Sequence, residues 1–299
     1  MIKYLLLFLC SLSICTSAQN AKATEGSLTH FELFKSAFVD PRNVDVWLPS
    51  EYSPSKKYNV LYMHDGQMLF DSSYNWNHQE WQVDETTSKL VRDKKIKDLI
   101  IVGIWNNGIY RRSEYFPEKP IYALAPEIKD TLIKNYLHGK TLADDYLLFL
   151  IKELKPFIDS TFSTYPDQAH TFIAGSSMGG LISLYGICEY PEVFGGAGCI
   201  STNWPGVVYK CESIAPKFID YLKEHLPNPK SHKIYFDYGN LTLDSLYKPH
   251  QLKVDALMRS KGYSKPNWIT LEFPGENHSE RAWSKRFDQV LLFLMKNEN

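Results

Sequence analysis

A chain of 299 residues with 33 Lys and Arg against 34 Asp and Glu is nearly neutral, at a net charge of −1. That balance argues against a nucleic acid or an anionic membrane surface as partner. The length suits one large domain, and an aromatic content of 14% suits either a packed core or a groove that stacks on sugar or phenolic rings.

The chain opens with Lys3, a short apolar run over 4–14, and the small residues Thr16-Ser17-Ala18. This pattern predicts a cleaved secretory signal over 1–18, too short to span a membrane, and places the mature protein in a periplasm or outside the cell. A lipoprotein anchor at Cys10 or Cys15 is disfavoured because Leu9 and Ile14, rather than small residues, precede them. Cys188, Cys199 and Cys211 then remain. Cys199 and Cys211 flank a Trp-Pro-Gly turn and have the option of pairing, while Cys188 reads as a buried thiol. No C-x-x-C or H-E-x-x-H spacing occurs, so no structural or catalytic metal is expected.

Residues 19–299 read as a single domain without repeats or low-complexity linkers. Residues 28–39 and 43–48 alternate as antiparallel edge strands, and 58–63 forms a strand running into His64-Asp65-Gly66-Gln67. A helix over 83–94 precedes the continuous apolar strand 98–104, which has the character of a parallel sheet buried on both faces. A long crossover, 106–141, leads to an amphipathic helix over 142–157. Strands at 170–174, 194–200, 233–238 and 268–273 then alternate with helices at 181–188, 213–226, 245–260 and 281–296. Such alternation predicts an α/β sandwich whose ligand site lies at the carboxyl ends of the strands.

The organising stretch is Gly175-Ser176-Ser177-Met178-Gly179, a G-x-S-x-G between an apolar strand and a helix. In that context the central serine is held out at a tight corner beside the free N–H groups of a helix start, as a nucleophile is. Asp244 follows the strand 233–238 and His278 follows the strand 268–273, which supplies the order Ser, Asp, His used by serine hydrolases with a strand–turn–helix nucleophile. Ser177 is the expected nucleophile, His278 the base and Asp244 the acid. Asp237 and Asp255 are the other acids to weigh, and both read as local structure. The amides of Met178 and Gln67 are the expected oxyanion donors, with Gly66 letting the loop turn and with His64 and Asp65 bracing it.

Taken together, these stretches resemble the esterase family of the α/β hydrolases that includes esterase D, feruloyl esterases, enterobactin-type esterases and mycolyltransferases. The resemblance is carried by residues 42–49 (Arg-Asn-Val-Asp-Val-Trp-Leu-Pro), 61–67, 175–179 and 275–280, and covers nearly all of the mature chain. It implies a cofactor-free hydrolase with about eight strands, acting on esters.

For substrate contacts the sequence offers Arg111 and Arg112 in the crossover, suited to an acidic group on the substrate, or else to surface pairing with Glu114 or Glu118. Trp105, Trp204 and Trp283 follow strands or flank His278, and suit ring stacking or ordinary core packing. Three readings follow: a serine ester hydrolase on a carbohydrate-linked or siderophore-type ester, an acyltransferase with the same triad, and an inactive binding protein on a hydrolase scaffold. A peptidase would need a cap or propeller domain to restrict access, and the sequence supplies none.

Overall fold

The structure is a computed structural model that describes residues 21–206 and 212–297. The expected signal segment and Cys211 lie outside them. Eight strands form one sheet: β1 Ser27–Phe34, β2 Arg42–Leu48, β3 Asn59–His64, β4 Leu99–Ile104, β5 Thr171–Ser176, β6 Gly196–Ile200, β7 Lys233–Gly239 and β8 Trp268–Phe273. Their order is β1-β2-β4-β3-β5-β6-β7-β8. The β1–β2 and β2–β4 pairs are antiparallel, and every pair from β4 to β8 is parallel.

The alternating side chains of the buried strands explain the two layers of helix. In β3, Val60 and Tyr62 point into one core with Leu147, Ile182, Phe218 and Val254, while Leu61 and Met63 point into the other with Leu90, Trp283 and Leu291. On the first face lie α5 Ala143–Leu148, α6 Lys155–Thr161, α7 Met178–Glu189, α8 Ile214–His225 and α9 Lys248–Ser260. On the second lie α1 Val83–Arg92, α10 Glu280–Ser284 and α11 Phe287–Met295. Each fully buried Leu or Ile contributes about 1.5–3 kcal/mol relative to exposure. The central strands are therefore held by their own apolar content.

Several elements depart from the sequence reading. β1 stops at Phe34 rather than 39, because Ser36 Oγ accepts from the amides of Phe38 and Val39 and turns the chain. The helix expected over 142–157 widens to a π-helical stretch at Phe149–Leu154, just ahead of Pro156, which has no N–H to give the carbonyl of Lys152. The crossover, to which the sequence reading assigned no elements, holds three short α-helices among the described residues: α2 Arg111–Tyr115, α3 Glu118–Tyr122 and α4 Pro126–Tyr136. The closing helix breaks between Ser284 and Phe287 and so yields α10 and α11. Cys199 is a free, buried thiol on β6, as is Cys188 on α7. No helix among the described residues is long and apolar enough to cross a membrane.

Candidate active site

The corner between β5 and α7 fixes Ser177. Its backbone stands at φ 59°, ψ −117°, outside the helical region, and the helix begins one residue later. The Ser177 amide donates to the Ile200 carbonyl of β6 at 2.9 Å, and its carbonyl accepts from Gly180, Leu181 and Asn203. Gly175 is required by close approach: a Cβ there would stand 3.0 Å from the Gly179 backbone and 3.0 Å from the His64 ring. Strain of this kind in a serine between a strand and a helix marks a site that its surroundings hold in place.

The loops after β7 and β8 interlock and carry Asp244 and His278 together. Asn240 and Leu241 donate their amides to the Glu276 carbonyl, Gly275 donates to Asn240 Oδ1, and the His278 amide donates to Thr242 Oγ1 at 2.9 Å. Within this frame His278 Nδ1 lies 2.6 Å from Asp244 Oδ1. Asp244 has no exposed surface and His278 has 12% of its side chain exposed. Burial pushes the Asp244 carboxyl up, but the bonds from His278 and Ser201 outweigh it and leave its pKa lowered. An ionised Asp244 accepts the Nδ1 proton, which leaves Nε2 as the basic atom of His278. The imidazole is walled by Trp283, edge-on at 4.9 Å, and by Tyr247 at 5.8 Å. Among the described residues no hydrogen bond joins Ser177 to His278, a contact that commonly tightens only in the substrate complex.

The loop after β3 brings the other expected donor to this edge. Asp65 takes a left-handed turn, and Gly66 packs so tightly on β4 that a Cβ would meet the Gly103 carbonyl carbon at 2.4 Å. Among the described residues neither the Gln67 amide nor the Met178 amide has a protein acceptor. Asp65 accepts from Arg111 Nε and Nη2 at 2.6 Å each and from Asn106 Nδ2 at 2.7 Å. His64 Nδ1 lies 2.8 Å from the Tyr146 hydroxyl, and burial lowers its pKa to about 3, so it is neutral.

The remaining candidates separate. Arg111 is engaged by Asp65, and neither Glu114 nor Glu118 is its partner; Glu114 is instead fully buried against Arg42. Arg112 is exposed and forms no ion pair among the described residues. Trp105 donates its indole N–H to Asp45 of β2 at 2.6 Å. Trp204 is 1% exposed and donates to Gln251, so no ring face is open to a ligand. Trp283 packs between Trp81, tilted at 5.3 Å, and His278, edge-on. Asp255 on α9 accepts from Gln251 of the same helix and from Thr270 of β8, while Asp237 on β7 pairs with Arg286. Sequence reasoning passed over Ser201 and Arg286. Ser201 immediately follows β6 at the carboxyl edge, a placement that flags it, whereas nothing in the local pattern marks Arg286. A cavity of about 540 Å³, lined by Lys56, Lys94, Lys97 and Asp98, sits at the amino ends of β3 and β4, the end opposite to the one where ligands bind in open α/β sheets.

A mostly parallel eight-stranded sheet with helices on both faces, and a serine at the strand–helix corner, defines an α/β hydrolase. The chain belongs to the esterase family described as "Putative esterase", whose model matches residues 36–294. The uncharacterized protein YjcH of Bacillus subtilis is 28% identical over 171 residues, 57% of this chain and 59% of its own length. An endo-1,4-beta-xylanase/feruloyl esterase of Xylanibacter ruminicola is 29% identical over 207 residues, 66% of this chain and 24% of that protein. The chain thus spans less than two thirds of either relative. Among solved structures, a ferulic acid esterase superposes with a TM-score of 0.64 at 19% identity, covering 91% of this chain and 98% of that one. The enterobactin esterase of Shigella flexneri gives 0.67 at 16% identity, covering 92% and 60%. At such identities the structural likeness is one of fold.

Proposed function

We propose that the chain is a secreted serine esterase that works through an acyl-enzyme on Ser177, with His278 as base and Asp244 as orienting acid. The observation that carries this reading is the strained Ser177 corner after β5, at the same carboxyl edge of the sheet as a His278–Asp244 pair held at 2.6 Å. Ser177 Oγ attacks the acyl carbonyl carbon while its proton passes to His278 Nε2. The amides of Gln67 and Met178 stabilise the oxyanion, each at roughly 3–4 kcal/mol. Collapse breaks the ester C–O bond, and the leaving alkoxide takes the proton from His278. Water then attacks the acyl-enzyme, gives its proton to His278 and releases the acid, with Ser177 restored.

The substrate class we favour is a carbohydrate-linked ester of acetyl or feruloyl type, or a siderophore-type ester. It is supported by the feruloyl esterase among the relatives and by the family resemblance of the motifs. Export rests on the apolar run and the Thr16-Ser17-Ala18 pattern, and residues 19–299 are proposed to form one domain. The test is hydrolysis of 4-nitrophenyl acetate and of a feruloyl ester by the mature chain beside Ser177→Ala. The variant is expected to lose about 10⁴–10⁶ in kcat. Wild-type turnover by Ser177→Ala would remove the nucleophile, and with it this reading. Transfer of the acyl group to added sugar, in place of its release to water, would make the protein an acyltransferase.

A further inference from the structure

The chain leaves β6 at Ser201 with φ 41°, a left-handed conformation for a fully buried non-glycine residue. Its hydroxyl gathers three groups. Ser201 Oγ lies 2.6 Å from Asp244 Oδ2, 2.7 Å from Arg286 Nη2 and 3.1 Å from the indole nitrogen of Trp283. Arginine and indole are donors only, so both occupy lone pairs of Oγ, and the single hydroxyl proton is left to Asp244. The direction of that hydrogen bond is therefore set by its neighbours. The Gly239 amide is the second donor to Asp244 Oδ2, at 2.6 Å. With Oδ2 held on two sides, Oδ1 is the oxygen presented to His278.

Arg286 completes the arrangement from the break between α10 and α11. It is 2% exposed, with Nη2 at 3.1 Å from Asp237 Oδ1 and 3.7 Å from Asp244 Oδ2. Its guanidinium lies over the Phe273 ring at 4.9 Å, and its Nε and Nη1 have no partner among the described residues. A buried cation left partly unpaired is expensive to keep for stability alone. It stands between two carboxylates, so the buried group carries one surplus negative charge, which a protonated His278 neutralises.

We propose that Ser201 and Arg286 are positioning residues that clamp the Asp244 carboxylate so that it holds the imidazole of His278, with Asp237 as the balancing charge on Arg286. This role rests on the triad reading given above. It involves no bond made or broken; its effect is on the orientation and charge of Asp244.

The test is a double-mutant cycle on ester hydrolysis with Ser201→Ala, Asp244→Asn and the two combined. Ser201→Ala is expected to lower kcat by about tenfold to a hundredfold, the worth of a hydrogen bond to a charged group, with KM changed less than about twofold. On the Asp244→Asn background the same change is expected to cost less than about twofold, because its target is already gone. A Ser201→Ala variant with wild-type kcat, or one whose loss multiplies in full on Asp244→Asn, overturns the proposal. If Ser201→Ala does not fold, Arg286→Lys enters the same cycle, keeping the charge but withdrawing the planar fork, and is judged by the same two results. Wild-type turnover by Asp244→Asn would remove the triad reading itself. A crippled Asp244→Asn beside an unaffected Ser201→Ala removes only the positioning role.

Discussion

Arg111 grips both carboxylate oxygens of Asp65 at 2.6 Å, and so fastens the loop that carries Gln67 to the first helix of the long crossover. The pair is only partly exposed, at 27% and 13% of the side chains. Arg111→Ala is expected to cost roughly 1–3 kcal/mol in urea unfolding, less than a fully buried pair because solvent screens part of it. Ester turnover should fall with it, as the amide of Gln67 loses its brace. Arg111→Lys should recover little, since an ammonium does not span two oxygens.

The same pair sets a pH dependence. Burial raises the Asp65 carboxyl, but the charge and bonds of Arg111 with the bond from Asn106 outweigh it, and the pKa is lowered. A depressed carboxylate contributes stability that is complete above its unfolded value, near 3.9, and is lost as pH falls through the folded one. Unfolding midpoints in urea should therefore show no contribution from Asp65 to any change between pH 5 and 8. Asp65→Asn should remove part of the acid-induced loss below about pH 4.

His64 acts in a higher window. Burial holds its pKa at about 3, so between roughly pH 6.5 and 3 the unfolded chain binds a proton that the folded chain refuses. Stability should drop by up to about 1.4 kcal/mol per pH unit across that range, and His64→Asn should flatten the slope. An unchanged slope in the variant would mean that His64 titrates normally in the folded protein.

Asp244 and Asp237 give a paired comparison. Asp244→Asn is expected to cut kcat by about 10⁴ while leaving the fold intact, because the imidazole would lose its orienting acceptor. Asp237 is bonded to Arg286, Tyr235 and Ser201 rather than to His278, so Asp237→Asn should cost far less. Equal losses in the two variants would show that Asp244 is not by itself the orienting acid.

Gly175→Ala probes the corner itself. The added methyl would sit 3.0 Å from the backbone of Gly179, which cannot yield without moving α7. A loss of about 1–3 kcal/mol is expected, with a lower melting temperature and weakened activity.

Strand–helix alternation, strict enough to read from apolar runs such as 98–104, made the sheet and its order of chemistry legible in the sequence. Ser177 and His278 were legible for the same reason: each follows a strand at the carboxyl edge, a position that pattern alone locates. Lys152 and Pro156 show what is harder, since the proline's missing N–H widens the helix before it rather than ending it. Arg286 was illegible because its role depends on a helix break that carries it inward, against Asp237 and Asp244, residues about 40 positions or more away in the chain. The partner of Arg111 was illegible for a related reason: it is Asp65 in the loop after β3, not one of the glutamates beside it in sequence.

The Arg42–Glu114 pair, fully buried and doubly hydrogen-bonded, ties the crossover to β2, while Ser177, Asp244 and His278 all stand at the ends of the parallel strands. The crossover is thereby moored twice, to β2 through Arg42 and to the loop after β3 through Arg111 and Asp65. A change of length or sequence beyond those two moorings, over 116–141, leaves both anchors standing, whereas a change at either anchor is felt at the carboxyl edge of the sheet.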